Sequence, residues 1–192
     1  MTFGAKQFTK NEIRDLLISI LVLALIFSGF NLELILVTIF IVVVVFLSHE
    51  LSHKFVAQYY GCDAVYKMWP LGLFLGLITA LLPGGFVIAA PGAVNISTYK
   101  RGFAFRIAHL TRKQLGIISL SGPLINIILA VSLLFLNFVY PLDLFSLTAR
   151  VSFFLAFFNL LPIPPMDGSK IMSWNFRIWL LLAGIAFVGL FI

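Results

Sequence analysis

The chain has 192 residues, 61% of them hydrophobic and 10% charged, with 21 phenylalanines. That balance excludes an ordinary soluble domain and indicates a polytopic membrane protein. The formal charge of +6 does not indicate nucleic acid, because the basic residues are not interleaved on a polar face; they read as loop lysines and arginines facing the cytoplasm. Cys62 is the only cysteine, which excludes an internal disulfide and a cysteine metal cluster.

A spanning helix needs about 20 mostly apolar residues. The first such run, 12–30, follows the polar, basic start "MTFGAKQFTKNEIRDLL" without a small-residue cleavage site, and reads as a retained anchor. A second run covers 32–60. Residues 71–98 are apolar enough to cross, but Pro83, Gly84 and Gly85 interrupt them. The stretch after the break, Phe86 to Ala90 with Val87 and Ile88, reads as a short strand. Non-helical backbone at membrane depth is tolerated only where protein or a cavity covers it, so a re-entrant β element beside a site is expected. Further helices are expected over 114–139, 149–161 and 176–192. The fold expected is an all-α polytopic membrane protein of five to six transmembrane helices, with 1–192 as a single domain and no PDZ or CBS module visible.

The positive charges fix a topology. Lys100, Arg101, Arg106, Arg112 and Lys113 form the strongest cytoplasmic marker, and Lys6, Lys10 and Arg14 mark the N-terminus likewise. Two crossings then separate the clusters, residues 71–98 make no net crossing, and Lys170 and Arg177 also fall inside.

Within the second run, "FLSHELSHKF" places His49, Glu50 and His53 in an apolar helix. An ionisable group at membrane depth costs about 2.5–3.5 kcal/mol on insertion scales, so such groups serve a purpose there. Four residues apart, the histidines lie about 40° apart around the helix and can converge on one ion. This His-Glu-x-x-His spacing is the zinc-protease arrangement, with two imidazoles as ligands and Glu50 as general base toward zinc-bound water. The bland alternative is a chance grouping, weakened because two of only three histidines form it. His109, in the basic loop, reads as a surface residue.

A catalytic zinc needs a third protein ligand. Asp167 is the candidate, because Pro162, Pro164 and Pro165 stop the preceding helix and Gly168 permits a sharp turn. In the topology above Asp167 shares the cytoplasmic side with His53, whereas Asp143 lies opposite. An exposed turn is the alternative. Asn159 could donate to the oxyanion of a tetrahedral intermediate or serve as a helix-packing amide. Asn126 reads as structural, with Gly122 and Pro123 permitting close approach and a kink.

"HELSH", "GPLIN" and "NLLPIPPMDG", in this order, resemble the site-2 protease family of intramembrane zinc metalloproteases, over about residues 33–174. The resemblance implies a three-helix catalytic core, one Zn2+ per chain held by His49, His53 and Asp167, water activated by Glu50, and Asn159 on the scissile region or oxyanion. It also implies a membrane-embedded strand region at 83–87; we expect Gly84, Gly85, Phe86, Val87 and Ile88 to bind substrate there. Ser52 stands where the family often has glycine. The expected function is hydrolysis of peptide bonds in or near transmembrane segments of substrate proteins. The location expected is a prokaryotic cell membrane, with the lipid bilayer as surroundings and the active site near the cytoplasmic side. The alternatives are a membrane metal transporter, in which more polar residues would line a path, and a non-proteolytic relative that binds membrane helices, against which the intact His49, Glu50, His53 and Asp167 argue. A zinc hydrolase of lipids or prenylated peptides is a further alternative.

Overall fold

The computed structural model describes residues 8–82, 90–97 and 110–192. The expected docking residues Gly84, Gly85, Phe86, Val87 and Ile88, with Pro83 and His109, lie outside these. Ala90 is described and is not in a strand.

The chain divides into two compact units, Met1–Val42 with Ala64–Ile96 and Val43–Asp63 with Ser97–Ile192. The first unit begins with α1, Lys10–Phe27, opened by a capping box in which the Thr9 hydroxyl accepts from the Glu12 amide and Glu12 accepts from the Thr9 amide. A 3-10 turn at Leu32–Leu34 leads into α2, Ile35–Val42. Strand β1, Asp63–Met68, then helix α4, Pro70–Ala80, and strand β2, Gly92–Ser97, complete it. Among the described residues the strands form a two-stranded sheet.

Glu12 and Asp15 look like the polar flank of a membrane helix, but both are buried. Glu12 Oε1 accepts from the Tyr66 amide at 3.0 Å and Asp15 Oδ2 from the Met68 amide at 3.4 Å. The Tyr66 hydroxyl meets Ser19 Oγ at 2.8 Å. Helix α1 thus satisfies two backbone donors of β1 with carboxylates, which offsets the cost of burying both.

The second unit opens with five π-helical residues, Val43–Leu47, that run into α3, Ser48–Tyr59. With no proline or glycine there, nothing in the local sequence announces this widened turn, a distortion that frequently accompanies functional sites. Helix α5 is Arg112–Val139, α6 is Asp143–Asn159, α7 is Asp167–Trp174 and α8 is Phe176–Gly189. Helix α5 is central and packs against α3, α6 and α7. Its contact with α6 and α8 is built from Ile127, Ala130, Ala149, Phe153, Ala156, Leu182 and Ala186; the alanines let helix backbones approach closely.

Several boundaries differ from expectation. Helix α6 starts six residues earlier than expected, at Asp143 rather than 149, because Ser146 and Thr148 return their hydroxyls to the Asp143 and Leu144 carbonyls, so that these polar residues do not interrupt it. Asp167 is the first residue of a further short helix rather than part of an unwound loop. Strand β1 is not anticipated by the sequence reading: its six residues lie between α3 and the strongly apolar α4, and only Ala64 and Tyr66 are buried.

Two helical runs are long and apolar enough to cross a membrane, Leu32–Tyr59 and Arg112–Val139, each of 28 residues. At 1.5 Å per residue such a run is about 42 Å long, sufficient for a hydrocarbon core of about 30 Å even when tilted. Their outward side chains are apolar too: Leu36, Phe40, Val131, Phe135 and Phe138 are all exposed.

Candidate functional site

The second unit brings together three residues that the sequence singles out as metal ligands. His49 and His53 sit one turn apart on α3, and Asp167 opens α7. His53 Nε2 lies 3.0 Å from His49 Nε2 and 3.0 Å from Asp167 Oδ2, and His49 Nε2 lies 3.5 Å from the same oxygen. Among the described residues this is the group of three able to hold a metal ion.

These separations can be tested against zinc. Tetrahedral bonds of about 2.0–2.1 Å put ligand atoms about 3.3–3.4 Å apart along each edge. The three edges here bracket that value at 3.0, 3.0 and 3.5 Å. Gly122 of α5 gives a second, independent fit. A Cβ there would meet the Nε2 atoms of both histidines, lying 2.7 Å from that of His49. Any side chain at this position would fill the space on which the ligand atoms converge. The residues present therefore fit a zinc ion, with room left by glycine.

The surroundings orient the rings. His53 Nδ1 lies 2.7 Å from the Ile118 carbonyl, to which it can donate, leaving Nε2 as the ligating atom. Ser121 Oγ donates to the same carbonyl at 2.7 Å. The Asn126 amide lies 3.2 Å from His49 Nδ1. Asn126 itself is fully buried, and its backbone carbonyl accepts from Ser152 Oγ of α6 at 2.8 Å.

Asp167 is placed by packing as well as by its proline-rich approach. A Cβ on Gly168 would collide with the Leu160 carbonyl, so the glycine lets the start of α7 press against the end of α6. The same carbonyl accepts from Trp179 Nε1 at 2.8 Å. Burial opposes ionisation of Asp167, but the neighbouring imidazoles outweigh it and hold the carboxyl well below the usual carboxylate range. Lys170 Nζ lies 3.8 Å from the outer oxygen, Oδ1.

Glu50 is buried, and its Oε2 has no hydrogen-bond partner among the described residues. Such an atom costs about 1–3 kcal/mol in a structural role, which fits a carboxylate held for chemistry. Asn159, at the end of α6, is half-buried and donates Nδ2 to the Leu155 carbonyl one turn back at 2.9 Å. Pro123 is buried inside α5, where it removes one helical donor. The sequence reads Asn126 and Gly122 as packing residues. Their place beside the ligand atoms follows from the crossing of α3 and α5, which no local pattern reveals.

Comparison with known proteins gives a consistent picture. The model of peptidase family M50 matches residues 37–143 and 138–181. A protein of Methanocaldococcus jannaschii named "Putative zinc metalloprotease MJ0611" is 38% identical over 192 residues, covering 95% of this chain and 94% of that protein. A Bacillus subtilis protein named "Putative zinc metalloprotease YwhC" is 32% identical over 152 residues, covering 68% of this chain and 65% of that protein. No solved structure matches the chain.

Proposed function

Because the chain belongs to the site-2 protease family, peptidase family M50, and is a zinc metalloprotease, we propose that it cuts substrate proteins in or near their transmembrane segments from within the bilayer. The observation that carries this reading is the convergence of His49, His53 and Asp167 onto one point behind Gly122, with two of the three on a helix apolar enough to span. The matched span draws on both units, which supports treating 1–192 as one protease domain.

His49 Nε2, His53 Nε2 and Asp167 Oδ2 would hold one zinc per chain. When bound, zinc supplies a Lewis acid that acidifies water and polarises the scissile carbonyl. Glu50 takes a proton from the attacking water at Oε2 as the water oxygen bonds to the carbonyl carbon. It returns that proton to the amide nitrogen as the C–N bond breaks. Asn159 has a second amide N–H beyond the one given to Leu155. We assign that N–H to the oxyanion, where a preorganised donor contributes a few kcal/mol.

The substrate we assign is an extended segment unwound from a membrane helix, since helical peptide carbonyls are already bonded and covered. Residues 84–88 remain the proposed docking edge, held by β-augmentation, and the β1–β2 sheet, whose two strands flank them in the chain, supports a strand-based mode. We assign five to six crossings of a prokaryotic cell membrane, and the loop charges support a centre near the cytoplasmic face.

The test is cleavage of a transmembrane peptide in vesicles, with zinc content measured alongside. Wild type should cut. Glu50→Gln should keep one zinc and lose cleavage by about 10³-fold or more, and His49→Ala and Asp167→Ala should lose both metal and cleavage. Undiminished cleavage by Glu50→Gln would reject Glu50 as base, and full zinc in Asp167→Ala would reject that ligand.

A further inference from the structure

Two histidines that ligate one metal through Nε2 must both carry their proton on Nδ1 or share it with an acceptor there. For His53 the acceptor is the Ile118 carbonyl at 2.7 Å. His49 occupies the equivalent place one turn earlier on α3, facing one turn later on α5. Its neighbour at Nδ1 is the Asn126 side-chain amide at 3.2 Å.

The direction of the Asn126 amide then decides what His49 can do. With the amide nitrogen toward the ring, Nδ1 must accept, the ring proton moves to Nε2, and the atom that meets His53 and Asp167 can no longer ligate. With Oδ1 toward the ring, Nδ1 donates and the Nε2 lone pair is free. Amide nitrogen and oxygen occupy equivalent places and are assigned from the network around them. The other end of this amide has no partner among the described residues in the orientation with nitrogen toward the ring. The network there does not select an orientation, and the imidazole does.

Asn126 is also held where this matters. It is fully buried on α5, its backbone carbonyl is tied to Ser152 of α6 at 2.8 Å, and Pro123 lies one turn before it. We propose that Asn126 is a positioning residue of the zinc centre: its Oδ1 accepts the His49 Nδ1 proton and so selects the tautomer that binds metal, beyond any role in joining helices. The proposal rests on His49 being a ligand through Nε2.

The experiment uses the full chain, purified in detergent, and measures zinc affinity by competition with a chelating dye in wild type, Asn126→Leu and Asn126→Asp. Leucine matches the volume but accepts nothing. Aspartate keeps an acceptor in place. Loss of an outer partner typically weakens metal binding about 10–100-fold, so we expect at least about 10-fold for Asn126→Leu and a change under about 3-fold for Asn126→Asp. A histidine-selective nitrogen-15 spectrum of the zinc-loaded protein gives a reading that packing alone would not move. The His49 Nδ1–H resonance should shift upfield in the leucine variant and downfield in the aspartate variant. Should the leucine variant fail to fold, the aspartate variant decides by the same resonance, and an unshifted His49 signal there overturns the proposal. Wild-type zinc affinity in folded Asn126→Leu also overturns it, leaving a packing role. His49→Ala run in parallel separates the two levels: if it retains zinc, the ligand assignment itself fails; if it loses zinc while Asn126→Leu does not, only the role of Asn126 fails.

Discussion

Replacing Gly122 with alanine should weaken metal binding strongly without unfolding the protein. In a helix interior alanine is favoured over glycine by about 0.8–1 kcal/mol, so α5 itself gains from the change. The new methyl carbon would lie 2.7 Å from His49 Nε2 and closer still to His53 Nε2, whereas ordinary van der Waals contact begins at 3.4 Å. Relieving the His49 contact alone requires a retreat of about 0.7 Å, the difference between those values, while ligand bond lengths tolerate about ±0.2 Å. The rings cannot stay on a common ion and clear the methyl. We expect zinc affinity to fall at least about 100-fold, equivalent to about 2.7 kcal/mol, with the thermal midpoint of the metal-free protein unchanged or raised. Dye competition and metal-free thermal unfolding in the same detergent measure both quantities. Wild-type zinc affinity in Gly122→Ala would refute the geometry, and loss of fold in place of loss of metal would show that Gly122 serves helix packing.

Other outcomes follow from the same centre and topology. Asn159→Ala should lower turnover by about 10²- to 10³-fold with zinc content unchanged if Asn159 serves the oxyanion; loss of folded protein with normal specific activity would instead make it a packing amide. Single cysteines at Thr98 and Ser146, in a Cys62→Ala background, should react with an impermeant thiol reagent from opposite faces of sealed vesicles. Labelling from the same face would mean that residues 71–98 cross the membrane.

Much of the centre was legible because its chemistry is costly in an apolar chain. His49, Glu50 and His53 stand out against the run before them, and Asp167 stands out because prolines precede it. What sequence could not show is what lies across from them. Ile118, Gly122 and Asn126 read as features of one helix, yet each meets a histidine some 65 to 77 positions away, a relation that period and propensity do not encode. The buried acids mislead for a related reason. Glu12 and Asp15 resemble a solvated helix start until β1 supplies the amides that they accept from. The π-helical turn before His49 has no composition signal either, since valines and phenylalanine suit an ordinary helix in a membrane protein as well.

The carboxylates of α1 have an effect on assembly. Along a strand, successive amides point to opposite edges. Trp69 donates toward the second strand, to the Pro91 carbonyl at 2.9 Å, while Tyr66 and Met68 donate the other way, to Glu12 and Asp15. The outer edge of β1 is therefore already engaged by side chains of its own chain, and no added strand can join there. A sheet able to grow on one side only cannot propagate. Two copies could at most meet edge to edge once, and the series would end there, so this sheet does not provide a template for open-ended polymerisation.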